Sequence, residues 1–108
     1  MATLIDGNSE RMTVWLDGEI DHHNCVGIRL RVDEAIRRCR PKELRLDFGS
    51  VTFMDSSGIG MIMGRYKTIQ SWNGKLEIIN VSKSFSKVMI LAGLDKIVTI
   101  KNAQEVKK

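Results

Sequence analysis

The chain has little of what specialised chemistry and export draw on. Its 108 residues include two cysteines, two histidines and one proline, and aromatic residues make up 6%. Cys25 and Cys39 both fall on one predicted helix, 14 positions apart. At about 1.5 Å of rise per residue they lie roughly 21 Å from each other, beyond the ~7 Å reach of a disulfide and too far apart to share a metal ion. No apolar run approaches the roughly 18 residues that a membrane span needs. The opening Met1-Ala2-Thr3-Leu4-Ile5-Asp6 lacks the basic-then-apolar order of a signal peptide. These absences lead us to expect a cytoplasmic protein with reduced thiols, no metal, no cofactor and no membrane.

Enzyme signatures are also missing. His22 and His23 are the only histidines, so an acid–base role would have to place one of them beside a nucleophile such as Ser57, oriented by Asp21 or Asp55. The residues around that serine are Asp55-Ser56-Ser57-Gly58-Ile59, which is not the Gly-x-Ser-x-Gly elbow. Gly58, Gly60 and Gly64 lack the Gly-Lys-Ser/Thr of a phosphate-binding loop. We therefore expect no enzymatic activity, with a small serine hydrolase using Ser57 and His22 as the rival reading. The net charge of +4 invites a nucleic-acid reading. Its only local cluster is Arg37-Arg38-Cys39-Arg40-Pro41-Lys42, at a predicted helix end where cations oppose the dipole, and no aromatic residue alternates with it. Direct nucleic-acid binding is not expected.

What the chain does have is clear periodicity. Ala2–Asp6 reads as a short strand, Gly7-Asn8-Ser9 as a turn, and Arg11–Ile20 as a strand with Met12, Val14 and Leu16 on one face and Trp15 on the other. From Asn24 to Cys39 the period changes to that of a helix. Cys25, Ile28, Val32, Ala35, Ile36 and Cys39 form its inner stripe, Asp21 or Asn24 its cap and Pro41 its stop. Glu43–Phe48 is a buried strand, followed by a Gly49-Ser50 turn and Val51–Met54. A second helix is expected from about Ser57 to Trp72, with Ile59, Ile62, Met63, Tyr66 and Ile69 inward. Lys75–Asn80 reads as a strand, Ser84–Ala92 as a helix stopped by Gly93, Ile97–Ile100 as a last strand and 103–108 as a frayed helical tail. Strands alternating with helices after an opening hairpin make an α/β fold. We expect a mixed, mostly parallel sheet of about five strands packed with three to four helices, in one domain over 1–108.

The junction Asp55-Ser56-Ser57 is the most informative point, because two hydroxyls sit where a strand ends and a helix begins. A helix N-terminus presents unpaired N–H groups and a partial positive charge, so it accepts an anion. Helical spacing puts Ser57, Met61 and Arg65 on one face, flanked by Gly60 and Gly64, which lack side chains and let another backbone approach. A docking patch and an ordinary capped helix start both fit this pattern.

Thr52-Phe53-Met54-Asp55-Ser56-Ser57-Gly58-Ile59-Gly60, continued by Met61-Ile62-Met63-Gly64-Arg65-Tyr66-Lys67, resembles the signature of anti-sigma factor antagonists, which are STAS-domain proteins. Gly18-Glu19-Ile20-Asp21-His22-His23 is a second similar segment, and the likeness is nearest to the sporulation class acting in the sigma F pathway. The resemblance implies a STAS fold and a binding module controlled by phosphorylation. In its unphosphorylated state such a module binds an anti-sigma factor that is also a serine kinase, and the sigma factor is released. The kinase phosphorylates the second serine, here Ser57, and a metal-dependent serine phosphatase reverses the change. The partner surface would then include Asp21, His22, Ser56, Gly60, Met61, Gly64 and Arg65, with Asp55 and Ser56 capping the helix and holding Ser57 outward. A monomer is expected, and an antagonist in a stress-response sigma pathway is the nearest alternative.

Overall fold

A computed structural model describes residues 3–103; the expected helical tail falls outside them from residue 104 onward, as does the first residue of the expected strand Ala2–Asp6. Strand β1 (Thr3–Gly7) and strand β2 (Arg11–Ile20) form an antiparallel hairpin with Leu4 opposite Trp15. Asn8 shapes the turn, its side-chain oxygen accepting the N–H groups of Glu10 and Arg11. Helix α1 (His22–Cys39), β3 (Glu43–Met54), α2 (Ser56–Gln70), β4 (Lys75–Val81), α3 (Lys83–Leu91) and β5 (Thr99–Asn102) follow, with a 3-10 turn at Leu94–Lys96 between α3 and β5. The sheet order is β1-β2-β3-β4-β5, antiparallel in the first pair and parallel in the other three. The α/β architecture expected from the alternating periods is therefore the one observed.

The core lies between one face of the sheet and the helices. Val14, Leu16 and Ile20 of β2, Leu44 and Leu46 of β3 and Ile78 of β4 are wholly buried with Val32 and Ile36 of α1 and Ile62 and Ile69 of α2. Each such side chain contributes about 1.5–3 kcal/mol of apolar burial. The expected stripe of α1 holds: Cys25, Ile28, Val32 and Ile36 are buried, with Ala35 and Cys39 packed at its margin.

The structure departs from the periodicity in three places. β3 runs unbroken through the expected Gly49-Ser50 turn, because β2 and β3 change register there and the longer strand takes up the extra residues as bulges. Asp47 braces the irregularity, accepting the Gly49 N–H at 2.8 Å and the Asn80 side-chain amide at 2.9 Å. The last strand starts at Thr99 instead of Ile97, since Gly93 (φ 84) turns the chain into the 3-10 segment and the N–H groups of Ile97 and Val98 both bond to Leu94. The third departure is the phase of α2, taken up below.

The basic cluster at the end of α1 is spoken for. Arg38 pairs with Glu34 at 3.2 Å, Lys42 with Glu10 at 3.6 Å, and the Arg40 guanidinium lies 5.4 Å from the Trp72 ring centroid. Trp72 in turn donates its indole N–H to the Pro41 carbonyl at 2.9 Å, tying the end of α1 to the end of α2. No helix among the described residues is long and apolar enough to cross a membrane.

Candidate functional site

Parallel pairing sets the site. Ile20 and Met54 are opposite one another at the ends of β2 and β3, and each strand gives way to a helix within two residues. The N-termini of α1 and α2 are therefore brought side by side at the carboxyl end of the sheet, the edge where open α/β sheets present their sites.

Two aspartates hold this junction. Asp21 caps α1, its Oδ1 accepting the Asn24 N–H at 2.8 Å. Asp55 caps α2, its Oδ1 accepting the Ser57 N–H at 2.8 Å. Its other oxygen, Oδ2, accepts the His22 N–H at 3.2 Å, and its own N–H donates to the Ile20 carbonyl at 3.2 Å. One side chain thus fixes both helix starts. Caps of this kind are worth about 1 kcal/mol each. Ser56, expected to share the capping, is instead the first helical residue, exposed to solvent.

Gly58 explains the next step of the motif. It is buried, and a Cβ there would come within 2.4 Å of Met54 Cγ and 3.3 Å of Ile20 Cγ2. Only glycine lets the first turn of α2 sit this close to the sheet. Ser57 is half-buried at the rim of a groove of about 230 Å³ between the two helices, lined also by His22, Cys25, Val26, Arg29 and Gly60. His22 is exposed and joins the network through its backbone N–H; among the described residues no hydrogen bond links its imidazole to Ser57.

The face drawn through Ser57, Met61 and Arg65 needs correcting. Met61 is 1% exposed and Arg65 7%, so neither lies on an open surface. The buried stripe of α2 is Gly58, Met61, Ile62, Arg65 and Ile69, while Ser56, Gly60, Met63, Lys67 and Gln70 face outward at helical spacing. Met63, expected inside, is 37% exposed. Arg65 turns toward α1, where its Nε stands 2.8 Å from Asp33 Oδ1 and its Nη1 donates to the Met61 carbonyl at 3.3 Å. Burial pulls the guanidinium pKa below its ordinary value and Asp33 opposes the shift; the group is charged throughout the accessible pH range. Arg65 is a structural cation that joins the two helices.

Of the anticipated partner residues, His22 and Gly60 line the groove, Ser56 is exposed at the start of α2 and Gly64 half-buried one turn beyond Gly60, and the two glycines have open space where a Cβ would stand. Asp21 is beside them but serves as a cap. Val26 and Arg29 line the groove from the outer side of α1, and Met63 is exposed on the outer face of α2. Val26 is 49% exposed, apolar surface that only the placement of α1 against α2 identifies as part of the groove.

Cys25 lies beneath this surface. Burial raises its thiol pKa, the Asp55 carboxylate raises it further, and Arg29 partly offsets them. The thiolate is the reactive form, so Cys25 is expected to be alkylated by iodoacetamide at pH 8 more slowly than a cysteine in an unfolded peptide. Mass spectrometry over a time course checks this, and an equal rate would contradict the burial. The sign for stability is that of an acid with a raised folded-state pKa. Its contribution is complete below the ordinary thiol value of about 8.5 and is lost as pH rises from there toward the folded-state pKa.

The sequence and the fold are shared with known proteins. The STAS domain family model matches residues 2–106. An anti-sigma F factor antagonist from Paenibacillus polymyxa is 38% identical over 89 residues, covering 82% of this chain and 76% of that protein. A second, from Lysinibacillus sphaericus, is 32% identical over 85 residues, covering 79% and 73%. The structure superposes on the anti-sigma factor antagonist SpoIIAA in its unphosphorylated form with a TM-score of 0.75 at 27% identity, covering 98% of this chain and 93% of that one. The Bacillus SpoIIAA in its phosphorylated form gives 0.73 at 28% identity, covering 97% and 96%.

Proposed function

The chain belongs to the STAS domain family, and from that premise we propose that it is an anti-sigma factor antagonist whose binding is switched by phosphorylation of Ser57. In the unmodified state the surface around the α1–α2 groove binds an anti-sigma factor, and the sigma factor is freed. The anti-sigma factor is also the kinase. It transfers the γ-phosphoryl group of ATP to Ser57 Oγ, so that an O–P bond forms, ADP leaves and the hydroxyl proton is released. A serine phosphatase hydrolyses the ester and restores binding. The protein works in the cytoplasm as a monomer, the whole chain serving as one binding unit.

The observation that carries this reading is the position of Ser57: in the first turn of α2, half-exposed, on the rim of a groove with apolar shoulders. An uncharged hydroxyl there is compatible with a docked partner. A phosphate of about −1.5 to −2 charge is not, because docking would desolvate it. The helix N-terminus meanwhile accepts the anion without unfolding. The positions of Asp21 and Asp55, both engaged in caps, support a role in fixing the surface rather than touching the partner. Incubation with an anti-sigma kinase and ATP, followed by peptide mapping, is expected to yield one phosphate on Ser57. A phosphate on Ser56 or elsewhere would overturn the assignment.

A further inference from the structure

Arg29 is the one full positive charge in the groove that the fold leaves unused. It lines the groove with Ser57 and His22, and among the described residues it forms no ion pair, whereas Arg37 and Arg38 of the same helix pair with Asp33 and Glu34. Its charge is felt inside the site, where it lowers the pKa of Cys25 and of Arg65. We propose that Arg29 receives the phosphate carried by Ser57, so that the modified chain is a closed state with its phosphate held across the groove from α2 to α1. This rests on Ser57 being the modified residue.

The charges facing the groove come from both helices and from the two strand ends. Asp21 and Asp55 are negative, but their oxygens are occupied by the N–H groups of Asn24, Ser57 and His22. Each helix N-terminus offsets about half a charge, so each capping carboxylate is roughly half balanced by the helix it caps. Arg65 is committed to Asp33, the Cys25 thiol is neutral, and His22 stands at the mouth. That leaves the Arg29 guanidinium as the group able to meet a phosphate, and its planar fork suits bidentate pairing with phosphate oxygens. The consequence is regulatory: a phosphate paired in cis keeps its bulk and its remaining negative charge fixed at the groove rim, and Arg29, on the surface proposed to dock, is withdrawn from the partner. One modification then removes two features of the surface.

The test uses the full chain with phosphoserine placed at position 57 during translation, so that it does not depend on any kinase. The second ionisation of the phosphate, near pH 6 when unperturbed, is followed by phosphorus NMR in the parent, Arg29→Gln, Arg29→Lys and Arg31→Gln chains. Arg31 is an exposed arginine of the same helix that does not line the Ser57 groove. Pairing favours the dianion, so the parent is expected to titrate about 0.5 unit or more below Arg29→Gln, with Arg29→Lys between them and Arg31→Gln matching the parent. Identical titrations in all four chains, or equal shifts in Arg29→Gln and Arg31→Gln, would overturn the proposal. Failure of the kinase to modify Ser57 in the mapping experiment would count against the functional reading alone.

Discussion

Replacing Ser57 by aspartate (Ser57→Asp) is expected to weaken binding to the anti-sigma partner about a hundredfold or more while the fold persists. The residue is the second of α2, after the Asp55 cap. Folding stability should hardly move, because a carboxylate in the first turn of a helix is favoured by the dipole by roughly 0.3–1 kcal/mol. The nearby Asp55 carboxylate, already held by two N–H groups, offsets some of that gain. Binding is different. The groove rim must be desolvated against the partner, and a charge added there costs several kcal/mol even where Arg29 offsets part of it, of which about 2.8 kcal/mol is already a hundredfold. Aspartate carries less charge than phosphate and one oxygen fewer, so it reproduces the direction and only part of the size. Ser57→Ala, which adds no charge, should bind within a few-fold of the parent. Calorimetric titration with the partner, beside thermal unfolding of each variant, reads both quantities. Full affinity in Ser57→Asp would remove the electrostatic basis of the switch.

Asp33→Ala is expected to destabilise the chain by about 3 kcal/mol, among the largest effects of any single polar substitution. It strands the Arg65 charge, whose side chain is only 9% exposed, without its carboxylate. The Asp33 side chain is 16% exposed, and water reaching that edge keeps the cost toward the lower end of the range for broken buried pairs. Replacing both partners by apolar residues, Asp33→Leu with Arg65→Met, should recover most of the loss, because no buried charge then remains. Chemical denaturation of the two single variants and the double variant measures this. If Arg65 were an exposed docking residue, Asp33→Ala would leave stability unchanged and Arg65→Met would lower only affinity. That pattern would contradict the buried pair.

The contrast between these two positions shows what the sequence could and could not convey. The order of strands and helices was legible because β2, β3 and α1 carry strict periods of two or of three to four, and Asp21, Pro41 and Gly93 punctuate them at the right places. Asp55 and Ser57 were legible because a cap and its first turn are local chemistry. The phase of α2 was not. With methionines at 61 and 63 and glycines at 60 and 64, the apolar pattern fits two rotations of the helix. Four-residue spacing from Ser57 groups Met61 and Arg65 with it on one face, which reads as outward. What fixes the phase is long-range: Gly58 must lie against Met54 and Ile20, and Asp33 on α1 supplies the counter-charge that lets Arg65 go inside. Val26 and Arg29 escaped for the same reason, since nothing in the α1 sequence says that its outer residues stand next to Ser57. The bulged course of β3 likewise depends on its neighbours, Asp47 and Asn80, and not on the Gly49-Ser50 pair that reads as a turn.

The most direct test of the switch follows the complex through one round of phosphorylation. The parent chain and Ser57→Ala are each bound to the anti-sigma kinase, ATP is added, and the bound fraction is followed by fluorescence anisotropy. The parent is expected to leave the complex as phosphate appears on Ser57, while Ser57→Ala stays bound. Release of both chains, or retention of a parent chain fully phosphorylated on Ser57, would contradict the account.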